Sequence, residues 1–145
     1  MKSDVKFEII EHTADAAIKA YGAGLEDLFS HAAEGLYALA LPYYPELAGQ
    51  RRSLKLNADS PEELLVSFLN ELNFFLLVQR RLLFPFEDLQ IKRSAGKYHL
   101  SCQAFETELS SDLMKRMQEI KAVTYHQLKI EKDDYGYRVT VIFDL

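Results

Sequence analysis

The sequence predicts an α+β fold: a single domain over residues 1–145, with two helices packed on a mixed or antiparallel β-sheet. Three observations predict it. Two stretches carry apolar residues at helical spacing, Leu25 to Leu39 and Ser60 to Leu76. Segments with strand-like alternation precede, separate and follow them. No repeat, low-complexity tract or long linker divides the chain, and the turn-rich stretch Leu41–Gln50 is too short to be a domain boundary. At 145 residues and 48% hydrophobic content, the chain can bury roughly two-thirds of its unfolded surface without covalent staples.

The elements follow in order. Val5–His12 and Ala16–Gly22 read as strands flanking a short polar connection. The first helix places Leu25, Leu28, Phe29, Ala32, Leu36 and Leu39 on one side, with Glu26 and Asp27 in the first turn, where the helix dipole favours acids. Arg52–Ala58 alternates through Leu54 and Leu56 as a strand. Ser60-Pro61-Glu62-Glu63 then starts the second helix: serine to cap, proline at the first helical position, Glu63 to complete a capping box. Its wide apolar face, Leu64 through Leu76, marks it as central to the core. Leu89–Arg93 and Tyr98–Phe105 are expected to pair across the turn Ser94-Ala95-Gly96-Lys97. Lys121–Glu131 and Tyr135–Phe143 are expected as a hairpin around Lys132-Asp133-Asp134, with Val139, Val141 and Phe143 on one face.

Composition excludes several classes. One cysteine, Cys102, allows no internal disulfide and no multi-cysteine metal centre. Lys and Arg number 17 against 22 Asp and Glu, a net charge of −5, so strong direct nucleic-acid binding is not expected. The N-terminus has no apolar core of a signal peptide, and the run Phe74–Val78 is far too short to span a bilayer. No membrane association and a cytoplasmic location are the expectations. The Gly-x-Ser-x-Gly elbow and both glycine-rich phosphate-binding patterns are missing.

Three stretches are unusually polar: Glu11-His12-Thr13-Ala14-Asp15, Lys121-Ala122-Val123-Thr124-Tyr125-His126, and Phe143-Asp144-Leu145. A strand ending Asp-Leu sets a side-chain carboxylate beside an α-carboxylate, and adjacent anions repel unless a cation lies between them. A hard divalent ion, with an oxygen from Asp15, would satisfy both. On the residues alone, a solvated chain end is the commoner outcome. His126 and His12 are open in the same way: general base or metal ligand on one side, hydrogen-bonded structural residue on the other. Cys102 sits in an alternating strand with no basic neighbour in sequence and reads as a buried, inert thiol.

Taken together, these stretches resemble the archease family. The matching segments are the Glu11–Asp15 box, the Ser67-Phe68-Leu69-Asn70-Glu71-Leu72 helix, the Lys121–His126 box and the acidic terminus Phe143-Asp144-Leu145, in that order along essentially the whole chain. The resemblance implies a non-enzymatic protein cofactor. Its partner would be the GTP-dependent tRNA-splicing RNA ligase that joins 2′,3′-cyclic phosphate or 3′-phosphate ends to 5′-hydroxyl ends. The activator would promote ligase guanylylation and multiple turnover. The resemblance also implies a metal site at Asp15, Asp144 and Leu145, holding a divalent cation, Ca in the first place, with Mg and Mn sharing the same oxygen ligands. His12, Thr13, Lys121, Thr124, Tyr125 and His126 become supporting or partner-facing residues.

The sequence departs from the family pattern in places. Ala16-Ala17 stands where a branched apolar residue and glycine are usual, Phe105-Glu106 lacks a glycine, and Met114 replaces a histidine seven residues before Lys121. Two other functions compete with the ligase activator. One is a small hydrolase or transferase using His126 and Asp15. The other is a chaperone, an RNA-binding module or a modulator of a tRNA 5-methylcytosine methyltransferase, the last being an activity the resemblance also brings.

Overall fold

The computed structural model describes residues 5–11, 15–125 and 127–145, with Glu11 through its main chain only. Strand β1 (Phe7–Glu11) and β2 (Asp15–Gly22) lead into helix α1 (Leu25–Ala40). Strand β3 (Gly49–Ala58) precedes α2 (Pro61–Phe74), which runs on as a π-helical turn (Phe75–Gln79). The long strands β4 (Arg81–Ser94) and β5 (Lys97–Glu108) follow, then a short helix α3 (Ser111–Arg116). Strands β6 (Ala122–Thr124), β7 (Glu131–Asp133) and β8 (Gly136–Asp144) complete the described elements.

The α+β architecture agrees with the sequence, and every strand pairing is antiparallel. The strands divide into two sheets. One runs β1-β2-β8-β6, with β7 also paired to β8; the other runs β3-β5-β4. The first and last described strands therefore meet through β2, which pairs with β8 from Asp15↔Asp144 to Gly22↔Tyr137. Alternation decides which face each sheet buries. Ala16, Ile18 and Ala20 of β2 and Val139, Val141 and Phe143 of β8 all point into the core.

Helix α2 starts as its sequence dictates. Ser60 Oγ accepts from Glu63 N at 3.1 Å, and Glu63 Oε2 accepts from Asp59 N at 3.3 Å, so two otherwise orphaned donors are satisfied. Phe29 of α1 stacks near Phe68 of α2 at 5.9 Å between ring centres, and Phe68 reaches Phe86 of β4 at 5.4 Å. Helix α1 lies on the first sheet and α2 on the second, with a shared core between them. Deep in it, Tyr37 Oη donates to Leu83 O at 2.7 Å, and burial holds that phenol well above its ordinary range. No helix among the described residues is long and apolar enough to cross a membrane.

Two expected strands have different extents. The stretch Lys121–Glu131 is not continuous: β6 ends at Thr124, Leu128 N donates to Tyr125 O at 3.0 Å, and Gln127 takes φ 55°. That local turn ends the ladder and lets β7 start afresh. Strand β4 begins at Arg81, eight residues before the expected start, because Arg80 adopts the left-handed conformation (φ 57°) and reverses the chain directly after the π-helical turn.

Candidate functional site

The site grows from strand register. Asp15 is the first residue of β2, Asp144 the last of β8, and the two are direct partners across the antiparallel pair. Direct partners share a face, with Cα atoms about 4.5–5.5 Å apart. On its other side Asp144 faces Ala122 of β6. Asp15, Asp144 and Ala122 therefore occupy one row on the face turned away from the core, while Ala16, Phe143 and Val123 of the adjoining row are buried. Asp144 is exposed and Asp15 half-buried. Among the described residues no salt bridge reaches either carboxylate.

Two juxtaposed carboxylates without a cationic partner form an oxygen donor set that fits a hard cation. Among the described residues no cluster of three or more His, Cys, Asp and Glu side chains could hold a metal. Among the described residues a third donor is available from the main chain. Leu145 is adjacent: its side chain is half-buried and packs against the core, which keeps its main chain beside Asp144.

The supporting residues divide. Lys121 is exposed, and its N–H donates to Asp144 O at 2.8 Å, so the lysine box touches the acidic strand end through its backbone. Thr124 lies on the same face as Ala122, opposite Ile142. Tyr125 leaves the sheet and is 56% exposed, an apolar ring offered to solvent beside the acid pair's strand. His12, Thr13 and His126 lie outside the described residues.

Two residues that the sequence did not single out hold this arrangement. Asn70 of α2 uses both ends of its amide: Oδ1 accepts from Val123 N at 3.0 Å, and Nδ2 donates to Val123 O at 3.5 Å. Asn73, one turn on and buried, donates through Nδ2 to Ile120 O at 2.7 Å. Edge strands leave a row of unpaired backbone groups, and α2 satisfies those of β6 with side-chain amides. The available signal was two asparagines at i and i+3 inside an otherwise apolar helix face.

Other reactive groups lie elsewhere. Cys102 is buried in the second sheet, and burial pushes its thiol up to about 11. A recess of about 130 Å³ involving Tyr21, Asp27, His31 and Arg138 sits at the far end of the β2–β8 ladder from Asp15 and Asp144.

Comparison with known proteins agrees with this fold. Residues 7–145 match the archease protein family (MTH1598/TM1083). A protein archease from Methanosarcina mazei is 31% identical over 140 residues, 97% of this chain and 96% of the relative. One from Saccharolobus solfataricus is 34% identical over 140 residues, 97% of this chain and 99% of the relative. Among solved structures, Methanobacterium thermoautotrophicum protein 1598 superposes with a TM-score of 0.79 at 28% identity, covering 96% of this chain and 98% of that one. The fold also matches an archease from Thermotoga maritima, described as a possible chaperone, with a TM-score of 0.59 at 22% identity, covering 95% and 96% of the two chains. Full-length similarity in sequence and in fold leads to one conclusion: the chain belongs to the archease family.

Proposed function

We propose that this chain is a protein cofactor without catalysis of its own, which activates a GTP-dependent RNA ligase joining 3′-phosphate and 5′-hydroxyl ends. The activation would promote guanylylation of the ligase and its repeated turnover. One observation carries the proposal: β2–β8 register sets Asp15 directly opposite Asp144 on an outward-facing row, with no salt bridge to either carboxylate among the described residues. Asp15, Asp144 and the main-chain carboxylate of Leu145 would hold a divalent cation, Ca, Mg or Mn, which when bound supplies positive charge for phosphate oxygens at a docked partner's site.

This chain's own residues do the positioning. The Lys121 N–H fixes the Asp144 main chain, and Asn73 and Asn70 fix the chain on either side of Lys121, at Ile120 and Val123. Tyr125, exposed at the end of that strand, is suited to contact a partner, since half-exposed aromatic rings commonly anchor interfaces.

The test has two readouts. Guanylylation and multiple-turnover ligation by the cognate ligase are measured with wild type, with Asp144→Ala and without the protein. Calcium binding to each form is titrated calorimetrically. Stimulation and calcium binding that are both lost in Asp144→Ala support the proposal. Equal stimulation by both forms keeps the partner and removes the metal site. Absence of stimulation with an active ligase overturns the partner, and suppression of methyltransferase or unrelated-client aggregation would then identify the chaperone alternative.

A further inference from the structure

The second sheet has a face that this proposal does not use. Helix α2 packs on one side of β3, β5 and β4, burying Leu54, Leu100, Cys102 and Ala104. The alternate residues from Arg51 to Asn57 and from Lys97 to Phe105 form the opposite face, which is exposed or half-buried, until Thr107 and Leu82 at its far end are buried. At the paired strand positions of that face stand four cations, Arg51, Lys55, Lys92 and Lys97, against one anion, Glu87. Asp88, exposed in the β4 bulge, acts on Arg51, and Asp59 lies beside Lys97, so this face and its rim carry one net positive charge on a chain whose formal net charge is −5.

Its partners are unevenly distributed. Arg51 is bound to Glu87, with Nε donating to Oε1 at 2.7 Å, and Lys97 approaches Asp59 at 3.6 Å. Lys55 and Lys92 make no salt bridge among the described residues and are exposed. The register places Lys55 opposite Ser101 and Lys92 opposite His99 on β5. Between the cations lie neutral hydrogen-bonding side chains, including Gln103, which donates to Ser53 Oγ at 2.7 Å. The apolar side chain in the exposed part of this face is Phe105, half-buried opposite Arg51.

We infer that this face binds the backbone of a single-stranded nucleic acid, weakly and with strong dependence on salt. Three features favour that occupant over an acidic protein. The charge is complementary to phosphate. The face lacks the apolar centre that protein interfaces carry, whereas nucleic-acid interfaces are polar and positively charged. A flat open sheet with interleaved donors and a ring at its edge also suits a splayed strand better than a rigid duplex groove. The negative remainder of the surface keeps the affinity low.

The size of the salt effect follows from the number of phosphates neutralised. Lys55 and Lys92 give two contacts, and Arg51 and Lys97 raise the number to four. With a slope of about −0.7 per contact on single strands, affinity falls about 7- to 50-fold between 50 and 200 mM salt. The experiment is fluorescence anisotropy of a labelled 20-nucleotide oligouridine RNA, titrated with wild type, K55E/K92E and Asp144→Ala at both salt concentrations. The expected result is binding by wild type and Asp144→Ala, and a loss of about tenfold or more in K55E/K92E at 50 mM salt. Circular dichroism confirms that the double variant, altered at two exposed positions, stays folded. Failure of the RNA to bind at 50 mM salt overturns the inference, as does equal binding by K55E/K92E. Competition by polyglutamate as effective as unlabelled RNA of equal charge also overturns it, in favour of an acidic protein. Because Asp144 stands on the other sheet, a failed ligase proposal leaves the RNA result untouched.

Discussion

Replacing Asn70 with alanine tests whether α2 positions the strand beside the acid pair. The substitution removes two bonds to Val123, one well formed at 3.0 Å and one at the 3.5 Å limit. A typical hydrogen bond contributes about 0.5–1.5 kcal/mol net, and a buried donor left unpaired costs about 1–3 kcal/mol. Val123 is buried, but its N–H lies at a strand edge where water can partly replace the amide, so the lower part of that range applies. The expected loss is about 1–2.5 kcal/mol. For a chain of this length, each kcal/mol lowers Tm by about 2–4 °C, which gives a fall of roughly 2–10 °C. Thermal and urea unfolding measure the loss. Native-state hydrogen exchange localises it, because the Val123 amide should lose protection while Val141 in the middle of β8 keeps it. Asn70→Asp separates the two bonds: it still accepts from Val123 N but sets a carboxylate against Val123 O, so its stability should fall to or below that of alanine at neutral pH. Unchanged stability in Asn70→Ala, with full protection at Val123, would refute the positioning role.

Three further outcomes follow from the same structure. Ala95 and Gly96 take φ values of 55° and 78° in the β4–β5 turn, a pattern that favours Asn-Gly, so Ala95→Asn should stabilise the chain by about 0.5–1 kcal/mol in urea unfolding. A Cβ on Gly22 would lie 2.3 Å from Leu28 N, a main-chain atom at the start of α1, so Gly22→Ala should cost about 2–3 kcal/mol by the same measurement. Burial favours the neutral thiol of Cys102, so the folded chain holds that proton more tightly than the unfolded chain. The corresponding stability is complete below pH about 9 and declines as pH rises through about 11. In native protein the thiol should accordingly resist Ellman's reagent at pH 8 and react once urea unfolds the chain.

Much of the fold was legible because local signals agreed with one another. Ser60, Pro61 and Glu63 fixed the start of α2, and the alternation of Val139, Val141 and Phe143 fixed the buried face of β8. The turn at Ala95-Gly96 was legible for the same reason. What was not legible depended on contacts made at a distance. Leu82 and Leu83 fall between the expected helix and the strand expected from Leu89, and only the left-handed Arg80, an unmarked residue for that conformation, turns them into the start of β4. The Lys121–Glu131 stretch alternates enough to pass for one strand, yet its outer edge finds Asn70 instead of a neighbouring strand. The acids of the candidate site were each visible in sequence. Their juxtaposition was expected from the resemblance, but the register that makes them direct partners was not, since it follows from the pairing of β2 with β8, where a slip of one residue would move Asp144 to the opposite face.

Helix α2 links the two surfaces proposed for function, and its construction explains why they should behave independently. Its apolar side, through Leu65, Phe68 and Leu72, is buried in the core shared with both sheets. Its asparagines reach the other way, to Ile120 and Val123, and so set the strand next to Asp144. The basic face of the second sheet lies beyond β3 and β5 from this helix, and its lysines are anchored only through backbone register. Changes at Asn70 or Asn73 should therefore loosen the acidic edge without altering the charge that phosphate would meet. Changes at Lys55 or Lys92 should remove that charge without moving a single hydrogen bond of the acidic edge. If K55E/K92E nevertheless lowered calcium affinity at Asp15 and Asp144 in high salt, where long-range charge effects are screened, the helix would have to transmit a structural change between the sheets. The separation of the two surfaces argued from the packing of α2 would then be wrong.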